Sequence, residues 1–331
     1  MRDKIAGALY GMALGDAMGM PAELWGRKRV KAFFGRIEGF LDGPAENDVA
    51  FNYKKGQFTD DTGQALVLLD SIESTDYEPD TRDIALRMLA WAEKENAFEN
   101  NILGPTSKVA LANFRDNIQD SRITDKALSN GSAMRIAPIG CLFRPEQKED
   151  IARYVYLVSR ATHTSDVTIA GAAMIAEAVS SAIVKDDFEK VMEDVFGIEE
   201  LGYGMGCETF SPRLGERLRI GLDIAGSYKG DDEGFIHKLY DVVGTGVGII
   251  ESVPAALSVA YYAQDPNLSC LLCANMAGDT DTIGAMATAV CGAFTGMGRI
   301  KPEYIRTLRQ QNDADFDHYI RILEKGRERF A

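Results

Sequence analysis

The sequence predicts an all-α protein carrying a metal site, and three observations predict it. Apolar residues recur at three- and four-residue spacings along most of the chain. No segment alternates with period two, and β-branched residues do not cluster between turns. Two acid-rich turns, Thr59-Asp60-Asp61-Thr62 and Gly278-Asp279-Thr280-Asp281-Thr282, each open an apolar helical run. The chain has 331 residues, of which 46% are hydrophobic and 26% charged, enough to bury a sizeable core. No internal repeat and no linker rich in Ser and Pro divides it, so residues 1–331 read as one domain.

In chain order, residues 3–19 place Gly7, Gly11, Gly15 and Gly19 four apart, on one stripe of a helix. Glycine costs a helix about 1 kcal/mol relative to alanine, so the stripe predicts close approach of another backbone. Gly284, Gly292 and Gly296 form a similar pattern and nominate that partner, a pairing that would bring Asp16 near Asp279. The stretch from Trp25 to Gln57 contains a short basic amphipathic piece, Arg27 to Phe34, and reads as a covering loop rather than a disordered one. Its aromatics Phe33, Phe34, Phe40, Phe51 and Tyr53 need burial. Helical periodicity then runs through Gln64–Ser74, Asp80–Glu95, Thr106–Arg115, Glu149–Arg160, Val167–Val184, Val243–Ala263, Pro266–Ala274 and Asp313–Phe330. Gly197 to Gly234, rich in glycine, reads as the least ordered region.

Each acid-rich turn alone has an ordinary reading, with Thr59 or Asp279 as an N-cap and acids favoured by the helix dipole. Two such all-oxygen clusters are harder to account for that way, because buried carboxylates need a cation or many donors. Four aspartates with threonine hydroxyls suit hard cations such as Mg²⁺ or Mn²⁺. The turn Ser129-Asn130-Gly131-Ser132-Ala133-Met134-Arg135 runs into a helix start and offers backbone N–H groups of the kind that hold phosphate. His163 follows in Ala161-Thr162-His163-Thr164, with a structural role and a contact to the site both open; His237 and His318 lie among charged helix residues without a visible partner.

Other chemistries are excluded. There is no G-x-S-x-G elbow, no H-E-x-x-H, no P-loop and no G-x-G-x-x-G opening a βα unit. Asp60-Asp61 suggests a diphosphate lyase of the terpenoid type, but that chemistry wants an aspartate at the position held by Gln64. The formal net charge of -14 argues against nucleic-acid and anionic-membrane binding. The five cysteines are scattered, and the lone C-x-x-C of Cys270 and Cys273 lacks a second pair or a paired His, so apolar helix positions are the better reading there. With neither a leader-like start nor about 20 uninterrupted apolar residues, the expected location is the cytoplasm.

An ordered set of motifs carries a resemblance over nearly the whole length: Gly11-Met-Ala-Leu-Gly-Asp16-Ala-Met-Gly, Phe58-Thr-Asp-Asp-Thr62, Gly131-Ser-Ala-Met-Arg-Ile-Ala-Pro-Ile-Gly140, Thr162-His163 and Gly278-Asp-Thr-Asp-Thr-Ile-Gly284. Together they resemble the ADP-ribosylglycohydrolase family. The resemblance implies a compact orthogonal helical array with a central two-metal cleft. By motif position it implies Thr59, Asp60, Asp61, Asp279, Asp281 and Thr282 as metal ligands for two divalent cations, Mg²⁺ or Mn²⁺. Glu23 matches a glutamate on a mobile loop near the metals, and His163 a histidine near the site. Two departures stand out: Ala277-Gly278 replaces the usual Gly-Gly, and Asn100-Asn101 stands where arginine-directed relatives carry an aspartate.

The expected activity is metal-dependent hydrolysis of a ribosyl N- or O-glycosidic bond, releasing ADP-ribose from a modified protein or small molecule. Glu23, Asp60 and Asp61 are the expected catalytic residues, and Gly131, Ser132, Met134 and His163 the expected substrate contacts. The alternatives are a simpler riboside as substrate, or a non-catalytic ADP-ribose-binding or lens-type structural relative.

Overall fold

The computed structural model describes residues 1–100 and 102–331. The described residues form seventeen α-helices and no strand, in line with the all-α expectation. The first half comprises α1 (Arg2–Gly19), α2 (Arg27–Phe34), α3 (Asp60–Ser74), α4 (Thr81–Lys94), α5 (Pro105–Arg115), α6 (Arg122–Asp125), α7 (Ala137–Gly140) and α8 (Lys148–Ser159). The second comprises α9 (Asp166–Val184), α10 (Phe188–Tyr203), α11 (Leu214–Ser227), α12 (Asp232–Val242), α13 (Ile249–Ala263), α14 (Pro266–Met276), α15 (Thr280–Thr295), α16 (Pro302–Gln311) and α17 (Phe316–Phe330).

The organising pair is α1 against α15, and glycine explains how they fit. A Cβ on Gly7 would lie 2.1 Å from Gly292 O, one on Gly11 2.3 Å from Thr288 O, one on Gly15 1.9 Å from Gly284 O, and one on Gly19 2.2 Å from Thr280 O. Four steps forward on α1 match four steps back on α15, so the helices run antiparallel in backbone contact. Gly296 closes the stripe from beyond the helix: it ends α15 at φ +90°, its carbonyl carbon would lie 2.8 Å from a Cβ on Gly7, and it faces Asp3. Both helices are buried nearly all round, as is α9. Helix α9 is long and apolar enough to cross a membrane, but nearly all of it lies inside the protein. One continuous apolar core surrounds the three.

Gly197–Gly234 corrects the sequence reading, because most of it is helical in α10, α11 and α12. Its glycines mark close packing rather than disorder. Gly202 sits against Ala170 Cα and Gly221 against Ser258 Oγ, each leaving no room for a Cβ. Two predicted starts also shift, from 243 to Ile249 in α13 and from 313 to Phe316 in the last helix, and α16 appears where no helix was expected. All five cysteines are free, and Cys270 and Cys273 are buried on α14 as apolar positions. His237 and His318 do have acidic neighbours, Glu233 at 4.0 Å and Glu73 at 3.2 Å.

Candidate metal centre

The antiparallel pairing sets the C-terminal end of α1 beside the N-terminal end of α15, and α3 begins at the same place. Asp16 there receives hydrogen bonds from Thr59 N (2.8 Å), Thr62 N (3.0 Å) and Thr62 Oγ1 (2.6 Å). The α3 amides are thus capped from α1. Neither Thr59 nor Asp279 caps its own helix with its side chain, so simple N-capping does not account for either turn.

The carboxylates are left facing one another. Oxygens of Asp16, Asp61 and Asp281 lie within 4.8 Å of each other, and so do oxygens of Glu23, Asp279 and Asp281. Thr59 Oγ1 donates to Asp281 Oδ2 at 3.4 Å, and Thr282 Oγ1 to Asp61 Oδ1 at 3.3 Å. Asn130 Nδ2 donates to Asp279 Oδ2 at 2.5 Å. Yet Asp61 Oδ2 and Asp281 Oδ1 are buried with no hydrogen-bond partner among the described residues. An unpartnered buried carboxylate oxygen is expensive, and a divalent cation is the partner that this all-oxygen donor set fits.

The electrostatics agree. Burial pushes the Asp16 carboxyl up to about 6. Burial, then Asp16 and Asp279, push Asp60 up to about 8. Glu23, Asp61 and Asp281 are also raised well above the usual carboxylate range, by burial first and by their acidic neighbours second. A site that disfavours its own charges this strongly can hold a cation.

Glu23 is held by backbone contacts rather than lying on a free loop. Leu24 N donates to Gly278 O at 2.7 Å and Gly278 N to Trp25 O at 2.9 Å, a one-bridge ladder joining the Glu23 segment to the second acidic turn. Asn47, itself buried, donates from Nδ2 to Glu23 O at 3.0 Å, so the covering segment is tied to the same point. That segment also delivers Tyr53, whose phenol is kept protonated by burial and by Asp60, Glu23, Asp16 and Asp281 around it.

A second network supports the turn at 129–135. Arg135, fully buried, donates to Gln64 Oε1 (2.8 Å) and Thr162 Oγ1 (2.6 Å), and Gln64 Nε2 donates to Asp60 Oδ2 (2.9 Å). Thr162 Oγ1, already accepting from Arg135, has its proton for His163 Nδ1 at 2.8 Å. That leaves His163 Nε2–H to donate to Ser129 Oγ at 3.0 Å. The imidazole is held neutral, its pKa lowered to about 3 by burial and by Arg135. It packs under Gly131, where a Cβ would lie 2.7 Å from His163 Cε1. Ser132 turns its hydroxyl inward to Thr168 O (2.9 Å), and the Met134 amide donates to Asn130 O (2.9 Å). Asn101 lies outside the described residues.

Sequence reasoning undervalued Asp16, Asn130, Tyr53 and Arg135. The first was legible in the glycine stripe that positions it, and two others lie inside a motif already singled out. Tyr53 had no signal beyond its place in an aromatic-rich loop.

The ADP-ribosylglycohydrolase family profile matches residues 1–329. The chain belongs to the ADP-ribosylglycohydrolase family. Within that family it is similar to YegU of Escherichia coli (strain K12), an uncharacterized protein, with 44% identity over 98% of each chain. It is 26% identical to the ADP-ribosylarginine hydrolase Tri1 of Pseudomonas putida (strain GB-1), covering 92% of this chain and 73% of that one. It is 24% identical to the ADP-ribosylhydrolase ARH3 of Mus musculus, covering 94% and 89%. The solved structure of an ADP-ribosylglycohydrolase-related protein complex shares the fold, with a TM-score of 0.72, 22% identity and 98% of each chain covered.

Proposed function

We propose that this family member is a metal-dependent hydrolase of a ribosyl N- or O-glycosidic bond, most simply one that releases ADP-ribose from a modified protein or small molecule. The observation that carries the reading is the pair of buried, unpartnered oxygens, Asp61 Oδ2 and Asp281 Oδ1, within a cluster of six acids. In this reading Thr59, Asp60, Asp61, Asp279, Asp281 and Thr282 hold two divalent cations, Mg²⁺ or Mn²⁺. Bound there, the cations supply the positive charge that draws ribose hydroxyls in and eases deprotonation of water.

The protein groups do the rest. Leaving-group departure from an oxocarbenium-like transition state needs a proton donor and a base for water. Glu23 suits the first task, because burial first and its neighbours Asp279 and Asp60 second favour the protonated carboxyl. In this reading Asp60 and Asp61 orient water and take its proton. The backbone N–H groups of Gly131 and Ser132 suit a diphosphate, and Met134 and His163 shape the turn that presents them. His163 is a positioning residue here, linked to Asp60 through Thr162, Arg135 and Gln64. The names of the ARH3 and Tri1 relatives support an ADP-ribosylated substrate, and the unbroken helical patterning of residues 1–331 supports a single domain.

The test is a hydrolysis screen with Mg²⁺ or Mn²⁺ over arginine- and serine-linked ADP-ribosyl proteins, O-acetyl-ADP-ribose and ribonucleosides, with products identified by mass. Release of ADP-ribose or ribose that stops on chelation is expected, with the arginine linkage cleaved poorly because Asn101 replaces an acid. No release from any substrate would end the reading.

A further inference from the structure

Along one face of α3, Gly63, Leu66, Val67 and Asp70 follow one another at helical spacing and line a cleft of about 470 Å³ that runs away from the acids. Thr59 and Tyr53 stand at its junction with the acidic cluster. Gly63 forms part of its floor, and the ring packs closely on it: a Cβ there would lie 3.1 Å from Trp91 Nε1 and 3.3 Å from Cε2 and Cζ2, so a larger residue would press the indole back. The Trp91 indole is thereby drawn against α3 as one wall, with Tyr53 and Phe58 from the covering segment in the same lining. At the far end Tyr319 donates to Asp70 Oδ2 at 3.4 Å, leaving the other Asp70 oxygen free to accept. Lys94, the cation among the described lining residues, is 3.8 Å from Glu95, and the acids Asp70, Glu95 and Asp313 line the same cleft, so it offers little to an anion. Its size falls within the range of small-molecule sites, and its lining sets the rings of Tyr53, Phe58, Trp91 and Tyr319 among polar side chains such as Asn52, Gln57 and Asn312.

We infer that this cleft is the leaving-group subsite, and that it takes a flat heteroaromatic base joined to ribose through nitrogen. The inference rests on the ribosyl-hydrolase reading above. It names what lies on the far side of the scissile bond from the ribose. In the reaction the C1′–N bond breaks and the water oxygen bonds to C1′, keeping one of its protons as the new hydroxyl. The other proton ends on the base nitrogen. Stacking suits the task because every base has a π-face, whereas an aliphatic hydroxyl acceptor gives Trp91 nothing to stack on. Asp70 accepts from an exocyclic amine or ring N–H, and Tyr53 supplies a donor at the end nearest the acids.

The chain has two tryptophans, Trp25, buried under Arg29, and Trp91 in the cleft, so intrinsic fluorescence reports on the site directly. Adenine and nicotinamide, added without substrate, are expected to quench the emission saturably. The Trp91→Phe protein, reporting Trp25 alone, is expected to show none of that change. In kinetics with an N-ribosyl base, Trp91→Leu is expected to raise KM about tenfold or more, the size of one lost stacking contact. The serine-linked ADP-ribosyl substrate is expected to be affected less. The inference is overturned if neither base quenches at millimolar concentration, or if Trp91→Leu leaves KM for the N-ribosyl base unchanged. Cleavage of ADP-ribosyl proteins in that case would leave the ribosyl-hydrolase reading standing, while cleavage of no ribosyl substrate at all would remove both.

Discussion

Ala277 sits at φ +74° and ψ 168°, backbone that L-residues avoid and glycine tolerates. Such a residue stores roughly 1–3 kcal/mol, held in place by its surroundings. Here the surroundings are the bond from Asp279 N to Thr245 O (2.7 Å) and the Trp25–Gly278 bridge, which fix the turn on both sides. Ala277→Gly is expected to stabilise the protein by about 1 kcal/mol, less than the strain released because glycine is freer when unfolded. A denaturant midpoint no higher than that of the unmodified protein would show that the turn is unstrained. Glu23 poses the functional question at the same scale. Glu23→Gln keeps the size of the side chain but removes its proton-transfer capacity and one of the mutually repelling acids. The expected result is a kcat lower by about 10²–10⁴-fold, with ADP-ribose binding retained and the melting temperature unchanged or slightly raised. Turnover within a few-fold of the unmodified protein would take Glu23 out of the mechanism.

At the scale of elements, the seam between α1 and α15 turns a residue pattern into a site. Gly11 lies in mid-seam, and its missing Cβ would fall 2.3 Å from Thr288 O. Backbone faces backbone, so no side chain can rotate away. Gly11→Ala is therefore expected to cost about 3 kcal/mol, the upper end of ordinary overpacking, read as a drop in denaturant midpoint. A cost under about 1 kcal/mol would mean that the helices slide apart easily. This seam was legible in the sequence because glycines spaced four apart weaken a helix unless another backbone packs against them. The acidic turns were legible for a related reason: carboxylates opening apolar helices need partners. The helices of 188–242 were not, because Gly202, Gly215 and Gly221 serve packing there and resemble the glycines of a loop. The cleft wall was not legible either. Trp91 reaches Gly63 from a separate helix, and neither residue marks the other in the sequence.

Over the whole molecule, a formal charge of -14 is compounded at one point by six acids that lie close together. The metal-free protein should therefore respond to pH in an unusual sense. A carboxyl whose folded pKa is raised contributes stability in full below its unfolded value, near 4, and loses it as pH rises through the folded value. Asp16, pushed up to about 6, and Asp60, pushed up to about 8, set the window, with Glu23, Asp61 and Asp281 raised in the same direction. Buried Glu177, pushed up to about 8 despite Lys148 beside it, adds to the trend. His163 opposes it, since a depressed histidine pKa costs stability as pH falls below about 6.5. One histidine against six raised carboxyls leaves the acids in control. In EDTA the melting temperature is expected to fall steadily from pH 5 to pH 8. Saturating Mg²⁺ or Mn²⁺ should raise it most at the alkaline end, because a cation binds the ionised carboxylates and stabilises the fold by an amount set by its concentration over its affinity. The two curves should diverge as pH rises. Parallel curves, or a metal-free protein that gains stability towards pH 8, would mean that these carboxylates neither repel one another nor hold a cation.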